Sequence, residues 1–376
     1  MELLSNVHNH IAFITLNRPA ALNALSYEMI LALDTQLREY AIDPNVRAVL
    51  IKGAGEKAFC AGGDIRTLHQ SATGGGSLHQ QFFIAEYQLD YYLHYYPKPY
   101  IALMDGIAMG GGMGIAQGSK LRVVTDRTRI AMPEVGIGLF PDVGGSYFLS
   151  RLPGALGTYL ALTGNQIRAA DALYTRLADV YLARSAVERL DAVLSDLHWS
   201  EDHSGDVQRA LHALSSHDLP AASLTVLRPA IDQHFAHADV ATVMHSLRRE
   251  HRADYAEWAQ QTVTIMAGRS PIMLAVTLQQ LQRGTGLKLA DCFRLELGMM
   301  QHCFEHGDII EGVRALLIDK DNAPQWQPAR PQDVTSEMVD EFFNSPWVTT
   351  PHPLAHLKYA AVSHRNIVSG IGQLHT

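Results

Sequence analysis

The chain has 376 residues, of which 47% are hydrophobic and 18% charged, and its net charge is −8. This length allows one large domain or two medium-sized ones with a sizeable core. The acidic balance argues against nucleic acid or an anionic membrane as the main partner. The three cysteines have no paired spacing, which argues against a disulfide framework and favours a reducing compartment.

Predicted strands and helices alternate along the first half of the chain. Apolar, β-branched runs predict strands at 10–19, 46–53, 100–106, 121–126 and 129–133. Ser26 stands where it can cap a helix that runs to about Tyr40. This alternation indicates an α/β architecture, and the later signals are mostly helical. We therefore predict an α/β core over residues 1–200 and a mainly helical C-terminal region over 201–376.

The N-terminus lacks the basic and apolar segments of a secretory signal, and no apolar run is long enough to cross a bilayer. We expect the protein in the cytoplasm, or in an organelle matrix if a transit peptide has been removed.

The chain has 19 histidines, among them the close pairs His8/His10, His302/His306 and His352/His356. Because no pair is joined by an acid in an H-E-x-x-H pattern, we expect no metal site.

Two glycine-rich segments, KAFCAGGDIR (57–66) and GIAMGGGMGIAQG (106–118), each follow a predicted strand. Glycine lets the backbone approach a ligand closely. The triplet at 110–112 would begin a helix, where free N–H groups point outward. One amide from each segment could polarise the same carbonyl oxygen as an oxyanion hole, worth about 3–4 kcal/mol per donor. The alternative is that these glycines only let helices pack closely on a sheet.

A dinucleotide site is a further alternative, because GAGEKA (53–58) matches the G-x-G-x-x-G/A fingerprint. No amphipathic helix is predicted directly after this segment, and no second βαβ unit follows in order. We therefore do not favour nicotinamide binding. The chain also lacks the G-x-x-x-x-G-K-[ST] motif of a phosphate-binding P-loop.

The stretch MPEVGIGLFPDVGG (132–145) carries two acids, Glu134 and Asp142, eight positions apart. A solvated loop would contain Ser, Asn and Lys, and a core strand would not bury two charges. The glycine and proline residues favour a non-helical turn that presents both acids to one substrate. The apolar setting predicts a raised pKa for at least one carboxyl group. The alternative at each position is a helix-capping or salt-bridged acid.

Together, KAFCAGGDIR, GIAMGGGMG and MPEVGIGLFPDVGGSYFLSRLPG resemble the crotonase (enoyl-CoA hydratase/isomerase) superfamily, and most closely its 3-hydroxyisobutyryl-CoA hydrolase group. Segment 308–328 also looks like that hydrolase group. The resemblance covers nearly the whole chain and is weakest at about 195–265 and in the last thirty residues. It implies a spiral of ββα units that binds an acyl-CoA thioester and needs no cofactor, since CoA is part of the substrate.

By motif position, the resemblance implies that the amides of Gly63 and Gly111 form the oxyanion hole. Hydratases of this superfamily carry a catalytic glutamate where this chain has Gly114, and Glu134 matches their second glutamate. They carry a small residue where this chain has Asp142, whereas the hydrolase group has an acid there. The pattern therefore implies thioester hydrolysis with Glu134 and Asp142 as the catalytic acids.

Glu86 matches an acid that contacts the substrate in the hydrolase group. The resemblance implies that Glu86 accepts a hydrogen bond from a 3-hydroxyl group of the substrate. The alternative is a solvated glutamate on the face of a helix. The implied reaction is hydrolysis of 3-hydroxyisobutyryl-CoA to 3-hydroxyisobutyrate and CoA, as in valine degradation. An enoyl-CoA hydratase or isomerase and a non-catalytic crotonase-like subunit stay open as alternatives. The resemblance also implies a homo-oligomer, a trimer or a hexamer.

Overall fold

The computed structural model describes residues 1–216 and 218–358. Its centre consists of two β-sheets, one of six strands and one of three. The strands in chain order are β1 (Leu3–His8), β2 (Ile11–Leu16), β3 (Ala48–Gly53), β4 (Ala58–Cys60), β5 (Tyr100–Met104), β6 (Ile107–Met109), β7 (Leu121–Thr125), β8 (Arg129–Ala131) and β9 (Val180–Leu182).

The larger sheet has the strand order β1-β2-β3-β5-β7-β9, and the smaller one has the order β4-β6-β8. Only the hairpin pair β1 and β2 is antiparallel among the described strands; the other neighbours run parallel. From β3 to β8, consecutive strands alternate between the two sheets. The chain therefore winds as successive strand–strand–helix units, which confirms the predicted spiral of ββα units.

Helices surround the sheets and make up most of the chain after β9. They are α1 (Tyr27–Ile42), α2 (Ile65–Thr73), α3 (Leu78–His94), α4 (Gly111–Gln117), α5 (Gly145–Phe148), α6 (Leu156–Thr163), α7 (Ala169–Tyr174), α8 (Arg184–Ser195), α9 (His203–Leu214), α10 (Ser223–His234), α11 (Val240–Arg248), α12 (Ala256–Ala267), α13 (Pro271–Gly284), α14 (Leu289–His306), α15 (Ile309–Val313) and α16 (Ser336–Glu341). Short 3₁₀ turns lie at Pro19–Ala21, Glu134–Ile137, Leu149–Arg151 and Pro331–Asp333, and a π-helical turn at Arg314–Ile318. None of the helices described at 1–216 and 218–358 is long and apolar enough to span a membrane.

Local signals explain where several elements begin and end. The Ser26 hydroxyl accepts a hydrogen bond from the Met29 amide at 3.1 Å, which caps α1 as predicted. Ser270 caps α13 in the same way, and Pro271 occupies the first helical position, where its missing N–H costs nothing. After β3 the chain enters β4 rather than a helix, so GAGEKA lacks the strand-to-helix context of a dinucleotide site.

Two apolar clusters cover the two faces of the larger sheet. One cluster joins the sheets to α1, α3 and the C-terminal helices. The other joins β2, β3, β5, β7 and β9 to α8 and α9. This second cluster runs from Ile11 to Leu214 and so crosses residue 200, where we placed a domain boundary. That boundary stays a prediction.

The helix α13 docks on the core through a backbone contact at its C-terminal end. A β-carbon at Gly284 would stand 2.1 Å from the carbonyl oxygen of Ser146, in α5. At Gly286, two residues later, a β-carbon would meet no atom within 4 Å. Because the obstacle at Gly284 is backbone rather than a flexible side chain, the contact needs a glycine.

We expect Gly284→Ala to destabilise the folded protein by about 1–3 kcal/mol, because α13 and α5 must separate to admit the methyl group. Urea unfolding followed by circular dichroism measures this change. The matched control is Gly286→Ala, which we expect to change the free energy of unfolding by less than about 0.5 kcal/mol. Equal effects of the two substitutions would contradict this account of the docking contact.

Candidate active site

The smaller sheet brings the three motif segments to one place. The first glycine segment follows β4, the second follows β6, and the acidic turn follows β8. These three strands are parallel neighbours, so their carboxyl ends lie at the same edge. A cavity of about 240 Å³ opens at this edge. Gly63, Gly111, Glu86, Glu134 and Asp142 all line this cavity.

The backbones of Gly63 and Gly111 are close neighbours in the cavity wall. A β-carbon at Gly111 would stand 3.4 Å from the amide nitrogen of Gly63. Gly111 begins α4, so its amide has no acceptor within the helix. Among the described residues, neither amide donates a hydrogen bond to a protein group. The preceding residues, Gly62 and Gly110, have φ values of +108° and +49°, which favour glycine.

Glu134 and Asp142 are buried acids of the same cavity, 6% and 4% exposed. The Tyr87 hydroxyl donates a hydrogen bond to Asp142 Oδ2 at 2.7 Å. Glu134 Oε2 has no hydrogen-bond partner among the described residues. Burial, and then the charge of Asp142, raises the pKa of Glu134 well above its usual value. Burial also raises the pKa of Asp142 to about 6, and the bond from Tyr87 acts against this rise.

Glu86 lies on α3 directly beside Gly111. Its Oε1 atom is 2.3 Å from the position that a β-carbon on Gly111 would take, and the residue is 2% exposed. Glu86 is therefore not on a solvated helix face. Burial, followed by the nearby acids Asp90, Asp142 and Glu134, raises its pKa. The five predicted site residues thus share one cavity, while their roles in catalysis stay predictions.

The C-terminal region also lines this cavity of its own chain. Arg269 follows α12, and Leu316 lies in the π-helical turn after α15. The Arg269 Nη2 atom donates to the Thr163 carbonyl at 2.9 Å. A β-carbon at Gly136 would lie 2.7 Å from its Nη1 atom. Arg269 therefore places a cation next to the acidic turn, and burial lowers the pKa of its guanidinium.

Glu296, on α14, holds the loop that follows Asp142. Its two carboxyl oxygens accept hydrogen bonds from the amides of Gly144 and Ser146, both at 2.8 Å. Burial raises the pKa of Glu296 to about 8, and these hydrogen bonds act against the rise. The sequence signal was an acid within the apolar face of α14, but nothing in the sequence indicates which loop it contacts.

A further buried acid, Asp90, stands one helical turn after Glu86 on α3. It is 0% exposed, and neither carboxyl oxygen has a hydrogen-bond partner in the described part of the chain. A β-carbon at Gly114 would stand 2.4 Å from Asp90 Oδ2 and 2.7 Å from the β-carbon of Val143. Position 114 therefore has no room for a side chain. The i,i+4 spacing of Glu86 and Asp90 was the available sequence signal.

We expect Asp90→Asn to reduce the loss of stability at high pH. Burial raises the pKa of Asp90, and the nearby charges of Asp142 and Glu296 raise it further. The folded state therefore keeps a proton on Asp90 that the unfolded state releases above about pH 4. The free energy of unfolding should therefore fall as the pH rises towards the folded-state pKa. Urea unfolding between pH 5 and 9 should show a shallower fall for the variant. If the free energy of unfolding falls equally with pH in the two proteins, Asp90 is not the group that holds the buried proton.

The family profile described as Enoyl-CoA hydratase/isomerase matches residues 11–343. Among curated proteins, the chain is 41% identical to "3-hydroxyisobutyryl-CoA hydrolase, mitochondrial" of Danio rerio, over 88% of this chain and 86% of that protein.

Two crystal structures are similar in fold and sequence. One is a carnitinyl-CoA dehydratase from Mycobacterium thermoresistibile, with a TM-score of 0.84, 40% identity, and coverage of 91% of this chain and 96% of that chain. The other is an enoyl-CoA hydratase from Rhodobacter sphaeroides 2.4.1, with a TM-score of 0.83, 35% identity, and coverage of 92% and 98%. The predicted resemblance is confirmed, and the chain belongs to the enoyl-CoA hydratase/isomerase family.

Proposed function

We propose that this protein hydrolyses the thioester of a short 3-hydroxyacyl-CoA, with 3-hydroxyisobutyryl-CoA as the substrate that fits best. The products are 3-hydroxyisobutyrate and CoA. The observation that carries the proposal is the pairing of two buried carboxyl groups, Glu134 and Asp142, with two glycine amides that have no acceptor among the described residues. The name of the Danio rerio relative supports the same reaction and substrate.

In the first step, the thioester carbonyl oxygen accepts hydrogen bonds from the Gly63 and Gly111 amides. The Glu134 carboxylate attacks the carbonyl carbon, and the negative charge moves to the oxygen that the amides stabilise. The carbon–sulfur bond then breaks, CoA leaves as its thiolate and takes up a proton, and an acyl–Glu134 anhydride is formed. In the alternative route, Glu134 instead removes a proton from a water molecule that attacks the same carbon.

In the second step, water cleaves the anhydride and restores the Glu134 carboxylate. Asp142 is 4% exposed, and Tyr87 holds its Oδ2 atom, so the other oxygen is placed to orient the water or the substrate. Because two carboxyl groups share this apolar space, one proton is held between them over a range of pH. That proton can be passed towards the leaving sulfur. The reaction needs no cofactor, because CoA enters as part of the substrate.

Glu86 is the proposed contact for the substrate 3-hydroxyl. Its Oε1 atom lies beside the Gly111 backbone and has no hydrogen-bond partner among the described residues. A substrate hydroxyl that donates to this oxygen would supply the missing hydrogen bond. A substrate without the hydroxyl leaves the buried acid unpaired, which disfavours binding.

A hydratase or dehydratase is the second candidate, because the two crystal structures described above are of an enoyl-CoA hydratase and a carnitinyl-CoA dehydratase. Hydration in this family needs a second glutamate at the position of Gly114. Asp90 and Val143 fill the space at this position, so a glutamate would not fit without rearrangement. A non-catalytic role is less consistent with a cavity that keeps both acids and both free amides. We further propose that the protein acts in the cytoplasm, or in an organelle matrix if a transit peptide has been removed; the name of the mitochondrial relative supports the second location. We also propose a homo-oligomer such as a trimer or a hexamer.

We expect Glu134→Gln to lower kcat for CoA release from 3-hydroxyisobutyryl-CoA by about 100-fold or more, because the amide can neither attack nor accept a proton. Thiol release followed with a chromogenic disulfide measures this loss. The matched control, Glu188→Gln, removes an exposed glutamate on α8 and should leave kcat unchanged. Equal activity of Glu134→Gln and the unmodified protein would exclude a catalytic role for Glu134.

We expect kcat/KM to fall as the pH decreases through about 6, because Asp142, whose pKa is raised to about 6, then takes up a proton and its carboxylate is lost from the acid pair. Tyr87→Phe removes the hydrogen bond that lowers the Asp142 pKa, so this fall should occur at a higher pH. The control, Tyr92→Phe, alters a tyrosine that packs edge-on against Tyr96 and contacts Arg38. If Tyr87→Phe leaves the pH profile unchanged, the hydrogen bond from Tyr87 does not control the pKa of Asp142.

A further inference from the structure

A group of three potential metal ligands lies at the C-terminal end of α14, outside the cavity described above. His302, Glu305 and His306 each offer one donor atom, and these three atoms lie within 4.8 Å of one another. The residues read H-C-F-E-H, which has the H-x-x-E-H order of some zinc enzymes and reverses the H-E-x-x-H order sought in the sequence. At positions i, i+3 and i+4, the three side chains share one face of the helix.

The hydrogen bonding of His302 defines which ring nitrogen is available. Its Nε2 atom lies 2.8 Å from the carbonyl oxygen of Asn344, and because a carbonyl can only accept, Nε2 carries the hydrogen. Such a bond is typical of metal-binding histidines, since it fixes the tautomer and orients the ring. The Nδ1 atom therefore has a free lone pair in the neutral ring. It is buried and has no hydrogen-bond partner among the described residues, while the side chain is 12% exposed.

Glu305 lies near this free nitrogen, and the ring of His306 lies beside the ring of His302. The His302 Nδ1 atom is 3.8 Å from Glu305 Oε2, too far for a hydrogen bond. The ring centroids of His302 and His306 are 5.2 Å apart. Ligands bonded to a tetrahedral zinc ion at about 2.0–2.2 Å stand about 3.4 Å from one another. The site therefore needs only a small contraction of side chains to close on an ion.

The pair His352/His356 shows why close spacing alone is not enough. The Nε2 atom of His352 also meets a backbone carbonyl, that of Arg294, at 3.1 Å. Its Nδ1 atom, however, accepts a hydrogen bond from the Leu354 amide at 2.9 Å, so no lone pair remains for a metal. Within residues 1–216 and 218–358, the corresponding nitrogen of His302 has no such donor.

We infer that His302, Glu305 and His306 form a zinc site at the surface of the protein. Two imidazoles and one carboxylate favour zinc and similar divalent transition metals over magnesium or calcium. Three protein ligands leave a fourth position for water or another group. The Asn344 carbonyl would support the site from the turn after α16, so a bound ion would fasten the end of α14 to that turn.

The test is titration of the metal-free full-length protein with zinc sulfate by isothermal calorimetry, in the absence of any acyl-CoA. We expect one zinc ion per chain, and affinity reduced by about 10- to 100-fold or more in His302→Gln and in His306→Gln. His306 is exposed, so its variant keeps the test valid even if His302→Gln fails to fold. The control is His245→Gln, which removes an exposed histidine on α11 and should bind zinc as the unmodified protein does.

Cobalt in place of zinc gives a second readout, because visible absorption bands report tetrahedral coordination by these ligands. Absence of zinc binding to the unmodified protein would overturn the inference, as would equal binding by His306→Gln. Because no thioester is present, either result leaves the proposed hydrolase activity untouched.

Discussion

The site depends on the close contact between α3 and a row of glycines formed by Gly111 and Gly114 in α4 and by Gly118 directly after it. A β-carbon at these positions would stand 2.3 Å from Glu86 Oε1, 2.4 Å from Asp90 Oδ2 and 2.5 Å from the Leu93 β-carbon. Any larger residue on this face would push the two helices apart. The absence of side chains lets α3 carry two acids into the apolar interior, and it leaves the amide at the start of α4 uncovered.

This packing explains why so many acids are buried together. Five carboxyl groups lie around or behind the cavity, and burial is the largest cause of a raised pKa in each: Glu86, Asp90, Glu134, Asp142 and Glu296. Each pKa unit of such a rise corresponds to about 1.4 kcal/mol between the two protonation states. A raised pKa also makes a carboxylate a stronger base than one of ordinary acidity. For Glu134 and Asp142, this cost is consistent with the proposed catalytic roles.

Much of the fold and part of the site could be predicted from the sequence. The alternation of strands and helices and the cap at Ser26 follow from local signals, and the structure confirms both. The glycine motifs and the Glu134–Asp142 segment were visible because each is contiguous. Their meeting in one cavity depends on β4, β6 and β8 being neighbours in one small sheet, which the family resemblance implied and local pattern alone did not.

Other features depend on contacts between distant segments. Arg269 and Leu316 reach the cavity from more than 120 residues beyond Glu134, and Glu296 contacts a loop about 150 residues away. No periodicity or motif indicates such pairings. The state of a histidine is equally hidden: His302 and His352 each meet a carbonyl through Nε2, but an amide occupies Nδ1 only at His352 among the described residues. Sequence spacing identified the histidine pairs but not these hydrogen bonds.

The central claim is that this arrangement cleaves a thioester rather than adding water to a double bond. The most direct measurement compares CoA release from 3-hydroxyisobutyryl-CoA with loss of the enoyl absorbance of crotonyl-CoA, using one preparation of the unmodified protein. We predict rapid release of CoA and little hydration. Hydration without CoA release would contradict the account, because it would mean that another acid replaces the glutamate that cannot fit at Gly114.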